Sequence, residues 1–469
     1  MSFSRPFLLS AAVLALGAGA LHAETVLDQR QRNDLSLTLY QNGLGFVRDV
    51  RKANLTGAEQ TFVFEDISTQ LTPDSLLISG KGFRVLERRF DFDLLTPGAL
   101  LEKSVGQTVH FRRFNSVSGK DDLIEAKILS AQGQTIIERD GRIEVGQPGQ
   151  LVIESLPEGL RAKPALTAKV DAAEKGETTM ALAYLSSGLK WHTSYSAELA
   201  GDGKSLVLQS WANLTNTSGV SYRAANLSLA AGQVNRQTVT RNFERMVRAE
   251  AAPMMDMAGA AAKTAEAPQA LGAIHLYNLS DKVDLNDNET KQVALMQPLS
   301  FKSTRELVQR FGPTYGEMNF DSPPVHPQVE LTFNNTSNNP LPDGILRLYR
   351  RDTQGQLQFV GEDNLTRTPK DGEATLHPGE SFDVTVERNQ TAFERKGKDS
   401  FEAAYKIVIK NAKDSAETVR IEEVFPGQWS LSDTSTKPDS QKNNTATWKI
   451  NVPAGKEKIL TYQVSVRLR

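Results

Sequence analysis

"YLSSGLKWHTSYSAEL" (residues 184–199) sets out the choice on which the fold turns. It holds a histidine, four serines and two kinds of aromatic ring around one glycine, so it is either a nucleophile site or a turn between strands. Period two favours the turn. Trp191 and His192 are neighbours on a strand and must point to opposite faces. Leu189, Trp191 and Tyr195 call for burial, which leaves His192 on the wet face. Ser186 and Ser187 are expected as turn residues before Gly188, with Trp191 and Tyr195 as packing anchors. There is no G-x-S-x-G elbow and no strand–elbow–helix context to raise a serine above a parallel sheet.

The same alternation runs along the chain in "LSLTLY" (35–40), "TFVFED" (61–66), "TMALAYL" (179–185), "SLVLQSWANL" (205–214), "VELTFNN" (329–335), "YKIVIKN" (405–411) and "LTYQVSVRL" (460–468). Each run is bounded by Gly, Asn, Pro or Asp turns. Helical periodicity is scarce, and "STRELVQRF" (303–311) suits a short helix or an edge strand equally. The pattern predicts an all-β protein of antiparallel hairpins. Three segments, 206–232, 329–352 and 404–427, repeat one plan of strand, Asn-containing turn and strand. Asn serves there because it tolerates left-handed backbone and bonds its own turn. These units suggest the hairpins of two or three antiparallel, Ig-like β-sandwich domains, and unrelated hairpins that share turn chemistry account for them equally.

One stretch departs from the pattern. "RMVRAEAAPMMDMAGAAAKTAEAPQALGA" (245–273) is Ala-rich and non-alternating, and is expected to be a flexible insertion. The expected division is 1–23 signal peptide, 24–170 N-terminal β domain, 171–394 central sandwich region interrupted by 245–273, and 395–469 C-terminal sandwich.

The first residues carry the signature of secretion: Arg5, an apolar run over 7–20, and small residues leading to a cut after Ala23. That run is too short to span a bilayer comfortably, and no other stretch approaches the roughly 20 residues needed. With no cysteine, disulfides, thiolate chemistry, cysteine zinc sites and a lipid-modified cysteine are all excluded. The expectation is a periplasmic or secreted chain stabilised by a large core. Its 54 basic and 56 acidic residues balance, so no basic stripe points to nucleic acid. Aromatics at 7% are too few for the girdles of a membrane barrel.

Chemical motifs are weak. After His22, the histidines His110, His192, His275, His326 and His377 have no metal-pair spacing. "DLNDNE" (284–289) places Asp284, Asn286 and Asn288 like a calcium loop, but Glu289 stands where glycine is needed and Leu295 where a bidentate Glu is needed. Asp121, Asp122, Glu422 and Glu423 exemplify acids that would form a hydrolase pair only by converging in space. Four of the eight methionines, Met246, Met254, Met255 and Met257, fall in the Ala-rich segment. Thioethers so clustered suit copper(I) or an adaptable partner patch, though a site-free segment explains them as well.

The opening stretch and "ANLTNTSGVSYRAANLSLAAGQV" (212–234) resemble the bacterial domain-of-unknown-function 4139 family, which includes the C-terminal domain of mucoidy inhibitor A-like proteins. "LPDGILRLYRRD" (341–352), "FVGEDNLTRTPKDGEATLHPGESFDV" (359–384), "KIVIKNAKDSAETVRIEEVFPGQW" (406–429) and "WKINVPAGKEKILTYQVSVR" (448–467) extend the likeness. "LTLYQNGLGFVRDVR" (37–51) and "LTPDSLLI" (71–78) resemble its longer secreted members, without a coiled coil ahead of the domain. The resemblance implies an extracytoplasmic all-β protein and supplies no catalytic residues. The expected function is a non-enzymatic envelope protein, without cofactor, that binds a polysaccharide or another envelope protein. The alternatives are a carbohydrate-active or peptidoglycan hydrolase and, less prominently, copper handling.

Overall fold

A computed structural model describes residues 24–91, 95–116, 118–155, 157, 160–161, 163–235, 268–318 and 322–468. The expected signal peptide and the four clustered methionines lie outside these residues. The described chain is mostly strand, with one short α-helix at Pro97–Lys103. At seven residues that helix is too brief to show a period, but Thr96 caps it through the Ala99 amide and Pro97 opens its first turn. No described helix is long and apolar enough to cross a membrane.

The chain forms two compact units. One takes residues up to Leu37, then Phe46–Ser187 and Thr217–Ala225; the other takes Thr38–Gly45, Gly188–Asn216 and Asn226–Arg469. A cut at 170 would fall inside the strand Ala165–Ala172, and a cut at 394 would sever Val384–Arg395 from its hairpin partner Ser400–Asn411. Alternation locates strands but carries no signal for which strands share a sheet.

In the first unit, Thr25–Leu27, Glu59–Glu65, Ala165–Ala172 and Phe83–Asp91 form a four-stranded sheet, its first pair parallel. A separate five-stranded sheet over 108–152 encloses its own small core of Val109, Phe111, Ala126, Ile128 and Ile137. Asp49 is buried between two arginines, 2.9 Å from Arg32 and 2.7 Å from the fully buried Arg51. Burial opposes ionisation of Asp49, yet the two guanidinium groups outweigh it and hold the carboxyl below its ordinary range.

The second unit centres on Glu289–Phe311, a 23-residue strand. "STRELVQRF" is therefore strand throughout. One side of it reaches Ser205–Asn216, then Leu189–Leu199, Gly344–Arg351 and Leu357–Leu365; the other continues through Glu417–Val424 and Thr445–Val452. Pro298 is tolerated because the register slips between Met296 and Leu299, at a bulge where no ladder donor is required. The sheets are mixed and not purely antiparallel: Leu189–Leu199 runs parallel to Gly344–Arg351, and Glu289–Phe311 parallel to Glu417–Val424. A second sheet of Val384–Arg395, Ser400–Asn411, Glu457–Arg467 and Gln428–Ser432 shares one core cluster with Glu417–Val424 and Thr445–Val452. Trp448, Tyr462 and Tyr405 stack in it at 5.3 Å spacings. Gln269–Leu271, expected within the flexible insertion, is a short strand against Ile274–Asn278.

Asparagine bonds its own turn as expected, Asn335 Oδ1 accepting from Ser337 N and Asn411 Oδ1 from Lys413 N, but the left-handed backbone is not used. Asn216, Asn335 and Asn411 are buried, and none has a positive φ. Asn335 Nδ2 donates to the carbonyls of Asn339, Thr368 and Pro369; Asn411 Nδ2 donates to those of Ser415, Val452 and Pro453. The two sets match position for position, each reaching four residues ahead and then across to an X-Pro pair. Asn216 likewise donates to Leu285 and Asn286. The hairpin echo is thus a repeated hydrogen-bond device.

Two outcomes follow for stability in urea. Trp191→Ala should cost roughly 3–5 kcal/mol as a fully buried indole is lost, whereas His192→Ala should stay within about 0.5 kcal/mol. Asn411→Ala should cost about 1–3 kcal/mol by leaving buried carbonyls without their donor.

Candidate binding face

Gly188 has φ +78, which only glycine adopts without strain, and it starts the Leu189–Leu199 strand in register. Beyond it, burial alternates strictly. Trp191 is fully buried, donating Nε1 to the Ala230 carbonyl at 3.1 Å, and the Tyr195 hydroxyl donates to Pro342 O at 2.7 Å. His192 is exposed, as expected. Ser186 is not an exposed turn residue: it ends the Lys175–Ser187 strand, fully buried, its Oγ 2.6 Å from that of Ser68.

The remaining expected site residues stay apart. Asp121 lies 3.9 Å from Arg112, Asp122 accepts from Asn115, and Glu422 pairs with Arg310 and Arg420. Glu423, the next residue, points to the opposite face and is fully buried 2.8 Å from Arg388 Nε. Arg388 and the Tyr462 hydroxyl are its polar neighbours and both favour its ionised form. Burial pushes its carboxyl up to about 7, against the pull of Arg388. "DLNDNE" is a turn, with Asn288 at φ +56 and the Asn286 amide donating to Glu289 at 2.6 Å. His377 lies between Glu330 and Asp363, at 3.5 and 3.4 Å.

What the four strands Glu289–Phe311, Ser205–Asn216, Leu189–Leu199 and Gly344–Arg351 do bring together is an open outer face. Register aligns Ala294, Trp211, Ser194 and Ile345 in one row, and Gln292, Asn213 and His192 in the next row of that face. Two rows beyond Ser194, Val207, Glu198 and Tyr349 align, with Phe359 beside Tyr349 at 5.8 Å. Phe359, Val207 and Ile345 are exposed at 57%, 43% and 41%, while Trp211 and Tyr349 are half-buried. Asn213 Nδ2 donates to Ser194 Oγ at 2.9 Å, and Gln292 Nε2 to Asn213 Oδ1 at 3.0 Å. The charges pair within the face, Arg347 with Glu362 at 3.1 Å and Arg351 with Glu198 at 2.7 Å. Partial burial and the neighbouring Lys190 lower the His192 pKa, so its ring is neutral near pH 7.

This face escaped the sequence expectations. The signal was present in "SLVLQSWANL", whose odd positions Val207, Gln209, Trp211 and Asn213 oppose the buried Leu206, Leu208, Ala212 and Leu214. Trp211 thus stands on the side that packing does not claim.

A family model for a domain of unknown function, DUF4139, matches residues 180–468, which contain every strand of this face. The chain belongs to the DUF4139 family. Comparison with curated proteins gave no match. The DUF4139 domain begins within the Lys175–Ser187 strand and ends with the last strand of the second unit.

The buried Glu423 of this DUF4139 domain makes a pH prediction. Its folded-state pKa is raised, so below about 4.5 its contribution to stability is fully present, and it is lost as pH rises through about 7. Urea titrations across that window should show the native protein losing stability relative to Glu423→Gln. Parallel curves would contradict a buried carboxyl that titrates there.

Proposed function

We propose that this DUF4139 protein is an exported, non-enzymatic binding protein of the cell envelope, and that the outer face around Trp211 is its binding surface. The observation that carries this is the outer-face array of half-buried Trp211 and Tyr349 and exposed Phe359 beside the Ser194–Asn213–Gln292 ladder. Aromatic rings combine an apolar face with a polar rim, and preordered amides bind at low entropic cost. The secretory character of residues 1–23 and the cysteine-free composition support export to the periplasm or beyond. The core shared by two sheets supports an Ig-like β-sandwich for the C-terminal part of the domain.

The hydrolase alternative draws no support from Asp121, Asp122, Glu422 or Glu423. Three of them pair with neighbouring side chains, and Glu423 is sealed in a core. Copper handling would rest on methionines outside the described residues.

Co-sedimentation of the mature protein, residues 24–469, with washed cell-envelope fragments tests the proposal. Binding should weaken about tenfold or more in a folded Trp211→Ala, Phe359→Ser variant, equivalent to about 1.4 kcal/mol. Native-level binding by that variant would remove the face from the argument. Release of soluble fragments from purified peptidoglycan would overturn the non-enzymatic assignment.

A further inference from the structure

We infer that the ligand of this face is a neutral polysaccharide chain, a deepening that rests on the binding role proposed above. Charge argues first. Arg347 and Arg351 are each engaged by a carboxylate on the same face, Glu362 and Glu198. An anionic glycan or nucleic acid requires uncompensated guanidinium or ammonium groups to neutralise its own charge. Lys190 and Lys302 stand at opposite ends of the face, against Thr215 and Ser205, ten residues apart on one strand, and make no basic track.

Hydrogen-bonding chemistry argues next. Asn213 holds Ser194 and His192 on one side and Gln292 on the other, through Nδ2 to Ser194 Oγ and the His192 carbonyl and through Oδ1 from Gln292. The amides and hydroxyl are therefore fixed before any ligand arrives. Each such group can both donate and accept, which is the pattern that vicinal hydroxyls present in return. Holding the side chains in place lowers the entropy lost on binding.

Spacing argues last. Tyr349 lies two strands across and four residues along from Trp211, a separation of about 16 Å from strand geometry. Ser196, Arg347 and Glu362 occupy the rows between. A protein partner favours a contiguous, dehydrated apolar centre with a polar rim. Here Trp211 stands apart from the touching pair Tyr349 and Phe359, with Ser196, Gln209 and Arg347 in the row between. That alternation suits an extended chain of sugar rings, whose C–H faces stack on the aromatics while their hydroxyls meet the amides.

Affinity electrophoresis of mature protein through gels containing dextran, laminarin or galactomannan, with alginate as the anionic comparison, tests this. At least one neutral polymer should retard the native protein, with little change from about 50 to about 500 mM salt because no ion pair is screened. Trp211→Ala should weaken that retardation about tenfold. Gln292→Ala, an exposed substitution with little bearing on folding, should weaken it severalfold. No retardation by any neutral polymer, retardation by alginate alone that salt abolishes, or an unaffected Gln292→Ala together with Trp211→Ala would each overturn the inference. If glycan binding fails while Trp211-dependent co-sedimentation with envelopes persists, the binding role stands and its ligand is a protein. If both fail, the binding role falls with the inference.

Discussion

Register in a two-faced sheet is all or nothing, because a one-residue slip exchanges every inward side chain for an outward one. In the DUF4139 domain, the buried amides of Asn216, Asn335 and Asn411 are the interactions that keep this from happening. Each amide ties the end of its strand to two carbonyls of another segment, and Asn335 and Asn411 add one within their own turn. A slipped strand would lose all of them and leave the amide stranded in the core. The position of Trp191 inside and of Trp211 outside depends on that anchoring.

Charge is buried elsewhere in the molecule, and the two cases differ instructively. Asp49 is flanked by two arginines in good hydrogen-bonding geometry and stays ionised. Glu423 has a single cation, Arg388, which lies over two aromatic rings at 4.2 and 5.2 Å, and the Tyr462 hydroxyl beside it. Desolvation wins there, and the carboxyl moves toward neutrality. Burial alone does not determine a carboxyl's charge; the number and aim of its donors do.

Much of this was legible in the residues. Alternation located the strands, Gly188 marked a turn, and Trp191, Tyr195 and His192 sorted to their faces by size and polarity. Three things were not legible, each for a physical reason. Sheet membership depends on long-range pairing that no local pattern encodes, so the parallel pairs were missed. The own-turn bonds of the asparagines were legible, but their burial and their reach to a distant X-Pro pair were not, because a buried amide has the same local sequence as a wet one. Trp211 was passed over because one aromatic in an outward register is informative only when its neighbours across three strands are known. Among the acids, adjacency in sequence placed Glu422 and Glu423 on opposite faces, which is what period two requires.

The strand Glu289–Phe311 has a further consequence, for the time course of folding. It needs Ser205–Asn216 on one side and Glu417–Val424 on the other, and Arg305 meets Glu417 across 112 residues of chain. Closing a loop of that size before its contacts form is entropically slow, and parallel pairing offers no hairpin shortcut. A nascent chain ending short of residue 424 holds the central strand with one edge bare. The central sheet of the second unit therefore cannot be completed until almost the whole chain has been made, so its closure is a late event in synthesis.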